Sequence, residues 1–188
     1  MRGSSQPVAV KVQHRWIKEQ VPGDIRLTEI GVGIGCWIFP DFKYQWLPEE
    51  FRDKLPRELD FKLEMLNSIR CKEIFKGSKT VFVPYCYEDL TKERVLVMSF
   101  EDGTSVQNVK QIHKMGYDLK QVSKIISQAF VHMIFKEGFV HADPHPGNIL
   151  VRRNKQGGTE IVLLDHGIYT TLRNETRLGY AKLWRGIL

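Results

Sequence analysis

The stretch FVHADPHPGNILV, residues 139–151, crowds His141, Asp143, His145 and Asn148 into eight residues, with two prolines and a glycine among them. Three chemistries compete for such a segment: a metal site, a polar turn without chemistry, or a loop that handles phosphate. His141 and His145 stand four apart, a spacing that suits zinc when it falls on a helix. Pro144 and Pro146 forbid a regular helix there, so the two histidines do not read as a zinc pair. His141 is expected to anchor the loop through hydrogen bonds.

The neighbours of this stretch narrow the choice. Upstream, from Asp118 to Glu137, Leu119, Val122, Ile125, Ile126, Ala129, Phe130, Met133 and Ile134 keep helical spacing. Gly138 ends that helix in the usual C-terminal glycine position. Downstream, NILVRR and TEIVLLDHG read as two strands joined by a turn at NKQGG. Asn148 enters the first strand of this hairpin and Asp165 leaves the second, so both belong to one end of the ribbon.

Further upstream, Val8, Val10 and Val12 alternate in a short strand at Pro7–Gln13, with Lys11 on the opposite face. PGD at 22–24 predicts a turn, and a helix follows to about Trp37. Its Gly31, Gly33 and Gly35 weaken it and are expected to permit close helix packing. These glycines lack the G-x-G-x-x-G spacing of a dinucleotide loop. Leu47–Phe75 predicts a long helical region that Pro56 should restart or kink. Leu59, Leu63, Leu66 and Cys71 form an apolar stripe near Glu58, Asp60 and Glu64. Strands are expected around TVFVP and ERVLVMSF, and a helix from Asn174 to the end.

Strand with lysine, helix with glutamate, two strands, long helix, polar loop, hairpin, Asp-x-Gly: this is the order of parts in a protein-kinase-like fold. Each part has a physical task there. A lysine neutralises the phosphates and a helix glutamate holds it. An aspartate and an asparagine supply oxygen ligands to Mg²⁺, and another aspartate orients the attacking hydroxyl. Asp143 and Asn148 stand five apart, the spacing of the kinase catalytic loop, and Asp165 occupies the Asp-x-Gly position. The expected fold is α+β: a protein-kinase-like two-lobe fold with an incomplete N-lobe and an incomplete C-lobe.

VAVKVQH, PGDI, ELDF, FPDFKYQWL, VLVMSFEDG, GFVHADPHPGNILV and IVLLDHG together resemble the aarF-domain (UbiB-type) atypical kinases, from about Val8 to Leu188. The pattern is most similar to the animal aarF-domain-containing kinase 1 branch, which is mitochondrial. The resemblance implies a tail at 1–7, a partial N-lobe at 8–101 and a partial C-lobe at 102–188. It implies that Lys11 meets phosphate, that Glu64 is its helix partner, and that Asp143 is the catalytic-loop aspartate. Asn148 and Asp165 match the metal ligands, and Glu58 and Asp60 the family's E-x-D motif. Met98, Ser99, Phe100 and Glu101 match the hinge that holds adenine through backbone groups. The cofactors implied are ATP or ADP with Mg²⁺, and the implied activity is phosphoryl transfer or ATP hydrolysis tied to mitochondrial lipid or quinone homeostasis. A lipid or a mitochondrial membrane protein is the implied partner.

The sequence departs from that pattern in two respects: it stops soon after Asp-His-Gly, so later C-lobe helices are expected to be missing, and its start is short. Ten residues precede Lys11, and they hold neither the family's K-x-G-Q motif, which normally engages E-x-D, nor its alanine-rich nucleotide loop. Weak catalysis and self-association through the Val8–Val12 edge are therefore expected. Two other functions stay open: a small-molecule kinase of the aminoglycoside or choline type, and a pseudokinase scaffold.

Composition sets the outer bounds. The chain has 188 residues, 28 Lys+Arg and 22 Asp+Glu, for a net charge of +6. No long basic block appears, so a solvated surface is expected rather than a nucleic-acid site. The cysteines Cys36, Cys71 and Cys86 form no C-x-x-C pair and suggest a reducing compartment. The most apolar run, Ile30–Phe39, is about half the ~20 residues of a membrane span, and MRGSSQP is too short to be a targeting segment.

Overall fold

The fold is a computed structural model that describes residues 6–39 and 41–187. Most of the tail expected at 1–7 lies outside the described residues. Strand β1 (Val8–Val12) pairs antiparallel with β3 (Val95–Ser99), setting Lys11 opposite Leu96 and Ala9 opposite Met98. The alternation of β1 is as expected, with Lys11 on the face opposite the valines. Val8, Val10 and Val12 are exposed, and the inner face carries Ala9 and Lys11.

Helix α1 (Ile17–Ile38) runs straight through Pro22, so the turn expected at 22–24 does not form. Val21 and Ile25 are buried on either side of the proline. Apolar burial of this kind outweighs the loss of one helical hydrogen bond. The helix packing expected at the α1 glycines does not appear among the described residues, and the one close approach is to Phe42 in the connection after the helix. A side chain at Gly31 or Gly33 would meet nothing within 4 Å, whereas one at Gly35 would stand 3.0 Å from the Phe42 ring.

Helix α2 (Leu47–Glu58) also passes through its proline, Pro56. So near the C-terminal end, proline disturbs only the last turn. The break expected at Pro56 falls instead at Leu59–Asp60. There Asp60 is extended, and its Oδ1 accepts the Lys62 N–H at 2.9 Å to cap α3 (Phe61–Ile74).

The hairpin β6 (Ile149–Arg153) and β7 (Thr159–Leu163) forms as read, in register Ile149 to Leu163 and Arg153 to Thr159. It is the centre of a four-stranded sheet. β2 (Val81–Phe82) pairs parallel with β7, and β4 (Thr104–Ser105) antiparallel with β6. β2 was expected with the smaller lobe, yet its strand hydrogen bonds tie it to this hairpin. Helices α4 (Val109–Lys114) and α5 (Leu119–Val131) pack over the sheet, each started by an Asn108 or Asp118 side-chain cap. The last turn of the long helix widens to π geometry at His132–Glu137 before Gly138, whose φ is 65°. β5 (Phe139–His141) pairs antiparallel with β8 (Tyr169–Thr171), and α6 (Asn174–Ile187) follows.

Two apolar cores result. The smaller holds Phe61, Cys86, Leu96 and Met98. The larger holds Cys71, Ile112, Ile125, Met133, Val151 and Ile161, with their neighbours. Helix α3 reaches from one to the other, since Phe61 at its start lies in the first and Cys71 near its end in the second. Its middle, at Glu64 and Asn67, therefore faces the junction. This is the two-lobe arrangement of a protein-kinase-like α+β fold.

Candidate active site

Strand β1 turns Lys11 inward and α3 brings Glu64 to meet it. The Lys11 Nζ donates to Glu64 Oε1 at 2.8 Å, to Glu64 Oε2 at 2.9 Å and to Asp165 Oδ2 at 3.1 Å. An ammonium has three N–H donors, so all three are directed at carboxylate oxygens. Burial works against the Lys11 charge, but Glu64 and then Asp165 outweigh it and hold the ammonium above the ordinary lysine range. Burial also pushes the Glu64 carboxyl up, with Lys11 pulling it back. The two shifts differ in origin: the carboxylates against Lys11 raise it, while burial of a carboxylate 2% exposed raises Glu64 and Lys11 offsets only part of that. For Asp165, burial is overcome by the Gly167 N–H, which donates to Oδ1 at 2.9 Å, and by Lys11; its carboxyl lies below the usual range.

The loop at 142–148 is held by His141, as expected. The His141 Nδ1 accepts the Asp143 N–H at 3.1 Å, which leaves Nε2 to donate to the Asp165 carbonyl at 2.8 Å. Burial lowers the His141 pKa and favours this neutral form. With both ring nitrogens occupied, His141 is no metal ligand. His145 Nδ1 accepts the Gly147 N–H at 3.1 Å and shapes the turn at Pro146–Asn148. The Asp143 side chain is exposed to solvent. The Leu164 N–H donates to the Asn148 carbonyl at 3.0 Å, extending the hairpin by one pair and bringing Asn148 and Asp165 to the same end of it.

The E-x-D residues part company. Glu58 sits on the last turn of α2, lining a cavity of about 270 Å³ with Leu63, Asn67 and Gly167. Its carboxyl is raised by burial and then by the charge of Asp143, so it lies within electrostatic reach of the loop at 142–148. Asp60 instead caps α3.

At the expected hinge, the register commits the backbone of Met98 to Ala9. The Ser99 N–H donates to Tyr85 O at 2.8 Å and the Phe100 N–H to Pro7 O at 3.2 Å. Of the four hinge N–H groups, only that of Glu101 has no partner among the described residues. The Glu101 side chain is occupied: Ser99 Oγ donates to it at 2.5 Å, and so does Arg152 Nη1 at 2.5 Å. Arg152 also donates to Glu160 at 2.8 Å, tying the hinge to the hairpin.

Sequence reasoning passed over Arg152 and Glu160, and over three residues around the Asp-His-Gly turn. Asn67 Nδ2 donates to the His166 carbonyl at 3.0 Å. His166 is 2% exposed, and its pKa is lowered by burial to about 4, so it is neutral at pH 7. Tyr169 meets its Nδ1 at 2.9 Å. Asn67 had a sequence signal, since it stands three residues after Glu64 on one helix face. Among the described residues, no cluster of three His, Cys, Asp or Glu side chains is arranged to hold a metal by itself.

The whole chain, residues 1–188, matches the family model described as "ABC1 atypical kinase-like domain". It is 44% identical over 181 residues to the AarF domain-containing kinase 1 of Drosophila melanogaster, covering 96% of this chain and 35% of that protein. The AarF domain-containing protein kinase 1 of Gallus gallus is 40% identical, with 96% and 35% covered. A probable serine/threonine-protein kinase of Dictyostelium discoideum, abkB, is 36% identical, with 96% and 27% covered. The chain thus spans about a third of the length of these relatives. Among solved structures, the Mycobacterium tuberculosis protein Rv3197, determined in complex with erythromycin, matches with a TM-score of 0.66 and 20% identity, over 88% of this chain and 41% of that one. At that identity the likeness concerns the fold. A chain matched from end to end by this family model, with Lys11, Glu64 and Asp165 joined across its two cores, belongs to the ABC1, or AarF, family of atypical kinase-like domains.

Proposed function

We propose that the domain binds Mg-ATP or Mg-ADP between its two cores and supports phosphoryl transfer or ATP hydrolysis. The observation that carries this reading is Lys11, held by Glu64 and Asp165 at the mouth of the hairpin. Asp165 is kept ionised, and the Asn148 side chain makes no hydrogen bond among the described residues, so one carboxylate and one amide oxygen are available. That donor set suits Mg²⁺, which when bound neutralises charge on the phosphate oxygens.

The chain's own residues do the rest. Lys11 gives up its Asp165 contact and offers the freed N–H to a phosphate oxygen, while Glu64 keeps the ammonium in place. Asp143, fixed at its backbone by His141, accepts or orients the proton of the acceptor hydroxyl. The Glu101 N–H is the hinge donor for the base.

Replacing Asp165 by Asn tests this. Mg-nucleotide affinity should fall by roughly tenfold or more, as for a lost charge contact. Affinity for metal-free nucleotide should hold or rise, because Lys11 is released. Equal losses with and without Mg²⁺, measured by thermal shift and titration, would overturn the assignment.

The full engagement of the three Lys11 donors favours one alternative, a scaffold that binds nucleotide without turning it over. Hydrolysis of ATP by the wild type but not by Asp143→Asn separates the two. A mitochondrial setting, a role in lipid or quinone homeostasis and a lipid or membrane protein as partner belong to this proposal, carried by the resemblance of the sequence motifs alone. Among the described residues no helix is long and apolar enough to cross a membrane. Fractionation of cells expressing the tagged full-length protein tests the setting.

A further inference from the structure

We propose that Asn67 and Tyr169 are positioning residues that clamp the Asp165–Gly167 turn between α3 and β8, and so set the Asp165 carboxylate beside Lys11. The inference rests on the nucleotide-binding reading above and concerns residues to which that reading gives no part.

The clamp is built from both sides. On the α3 side, Glu64 and Asn67 lie one turn apart on the same face. Asn67 Nδ2 donates to the His166 carbonyl at 3.0 Å, and the His166 N–H approaches Glu64 Oε1 at 3.5 Å. Both backbone groups of His166 are therefore held by the helix that holds Lys11. On the other side the His166 ring is the handle. Its Nε2–H donates to the Leu163 carbonyl at 3.1 Å, which leaves Nδ1 as the acceptor for the Tyr169 hydroxyl at 2.9 Å. Tyr169 is itself fixed. Its ring stacks on Phe139 with centroids 4.3 Å apart and planes 16° apart, and β8 sets it opposite His141. His141 closes the circuit by donating to the Asp165 carbonyl at 2.8 Å.

The groups in this circuit are buried or half-buried and hydrogen-bonded, and the Tyr169 hydroxyl also has the Cys71 thiol beside it. Turning the turn outward would strand the His166 Nδ1, its carbonyl and the Asn67 amide together, and unpaired buried polar groups are costly. The turn thus has one favourable position, the one in which Asp165 reaches Lys11. A residue that only filled space would need neither the Asn67 amide nor the Tyr169 hydroxyl.

The test uses the 188-residue chain with Asn67→Leu, Tyr169→Phe, His166→Phe and the double variant His166→Phe/Tyr169→Phe. ADP is titrated with and without Mg²⁺, and backbone hydrogen exchange is read at Gly167 without nucleotide. Asn67→Leu and Tyr169→Phe should each weaken Mg-ADP binding by about five- to tenfold, the size of one hydrogen bond, and leave metal-free ADP binding within about twofold. Exchange at Gly167 should quicken in both. Against His166→Phe, which removes the acceptor of the Tyr169 hydroxyl, Tyr169→Phe should weaken Mg-ADP binding no further.

If Asn67→Leu does not fold, Tyr169→Phe decides, because it keeps the ring. Wild-type binding in these variants, or equal losses with and without Mg²⁺, would overturn the clamp. So would additive effects of His166→Phe and Tyr169→Phe. If the wild type itself shows no Mg²⁺ dependence, the nucleotide reading fails separately. Exchange at Gly167 then decides the clamp: faster exchange in the variants keeps it, and unchanged exchange removes it.

Discussion

At the scale of single residues, the junction is governed by charges that are partly out of water. Glu64 is 2% exposed and depends on Lys11 for its charge, while Lys11 keeps 37% of its side-chain surface. Lys11→Met should therefore cost on the order of 2 kcal/mol, below the 3–5 typical of a fully buried pair. Glu64→Gln should cost less, since Lys11 keeps Asp165. Urea denaturation of both variants measures this, and equal losses would speak against Glu64 as the more dependent partner.

Cys71 sets a limit at alkaline pH. Its thiol is fully buried, and burial pushes it from 9.0 up to about 11. A thiol raised in the folded state contributes stability that is whole below about pH 9 and is lost as the pH climbs through 11. Two pH units correspond to roughly 3 kcal/mol. Stability should fall steeply over that window, and Cys71→Ala should flatten the slope while lowering the starting value. Parallel slopes in the two proteins would remove Cys71 as the source.

Residue type, spacing and the order of parts singled out Lys11, His141, Asp143, Asn148 and Asp165 in the sequence, and the family resemblance added Glu64. Arg152 was not singled out, because its partner Glu101 is distant in sequence, and Asn67 offered only its place one turn after Glu64, its own partner lying far away at His166. Tyr169 is near His166 in sequence, but its bond depends on which ring nitrogen Leu163 leaves free, and no residue pattern records that.

At the scale of elements, the long periodic helix and the hairpin followed their patterns, and the prolines did not. Pro22 and Pro56 were expected to break helices and lie within them, since buried neighbours or nearness to a helix end reduced their effect. The strands β4, β5 and β8, two or three residues each, give too few alternations to be read, and exist because a neighbour fixes their register.

The glycines divide by environment, and two substitutions should move stability in opposite directions. Gly138 has φ 65° at the end of the long helix. Gly138→Ala should cost about 1 kcal/mol, as an L residue does in the left-handed region. Gly33 lies inside α1 with nothing within 4 Å of an added Cβ. Gly33→Ala should add up to about 1 kcal/mol from helix propensity. Thermal unfolding of the pair checks both signs, and a destabilised Gly33→Ala would show that α1 packs more closely at that residue.

At the scale of the whole molecule, the smaller lobe offers an edge. Among the described residues β1 pairs with β3 alone, and Val8, Val10 and Val12 stand on its outer face. An unpaired edge with apolar side chains is a template for association. The purified chain should therefore self-associate as concentration rises. Val10→Lys should suppress this without disturbing the inward-facing Lys11. Sedimentation velocity across a concentration series measures it, and unchanged association in Val10→Lys would place the contact elsewhere.

The sequence by itself determined the kinds of element, their order and the residues that can carry charge to a phosphate, because periodicity and spacing are local properties of a chain. Only the tertiary structure decided that α3 spans two cores, that Lys11 spends all three donors on Glu64 and Asp165, and that Asp60 caps a helix while Glu58 nears Asp143. Those outcomes depend on which distant groups share a small volume out of water, and burial of a charge or a hydrogen-bonding group has a cost that no local pattern records.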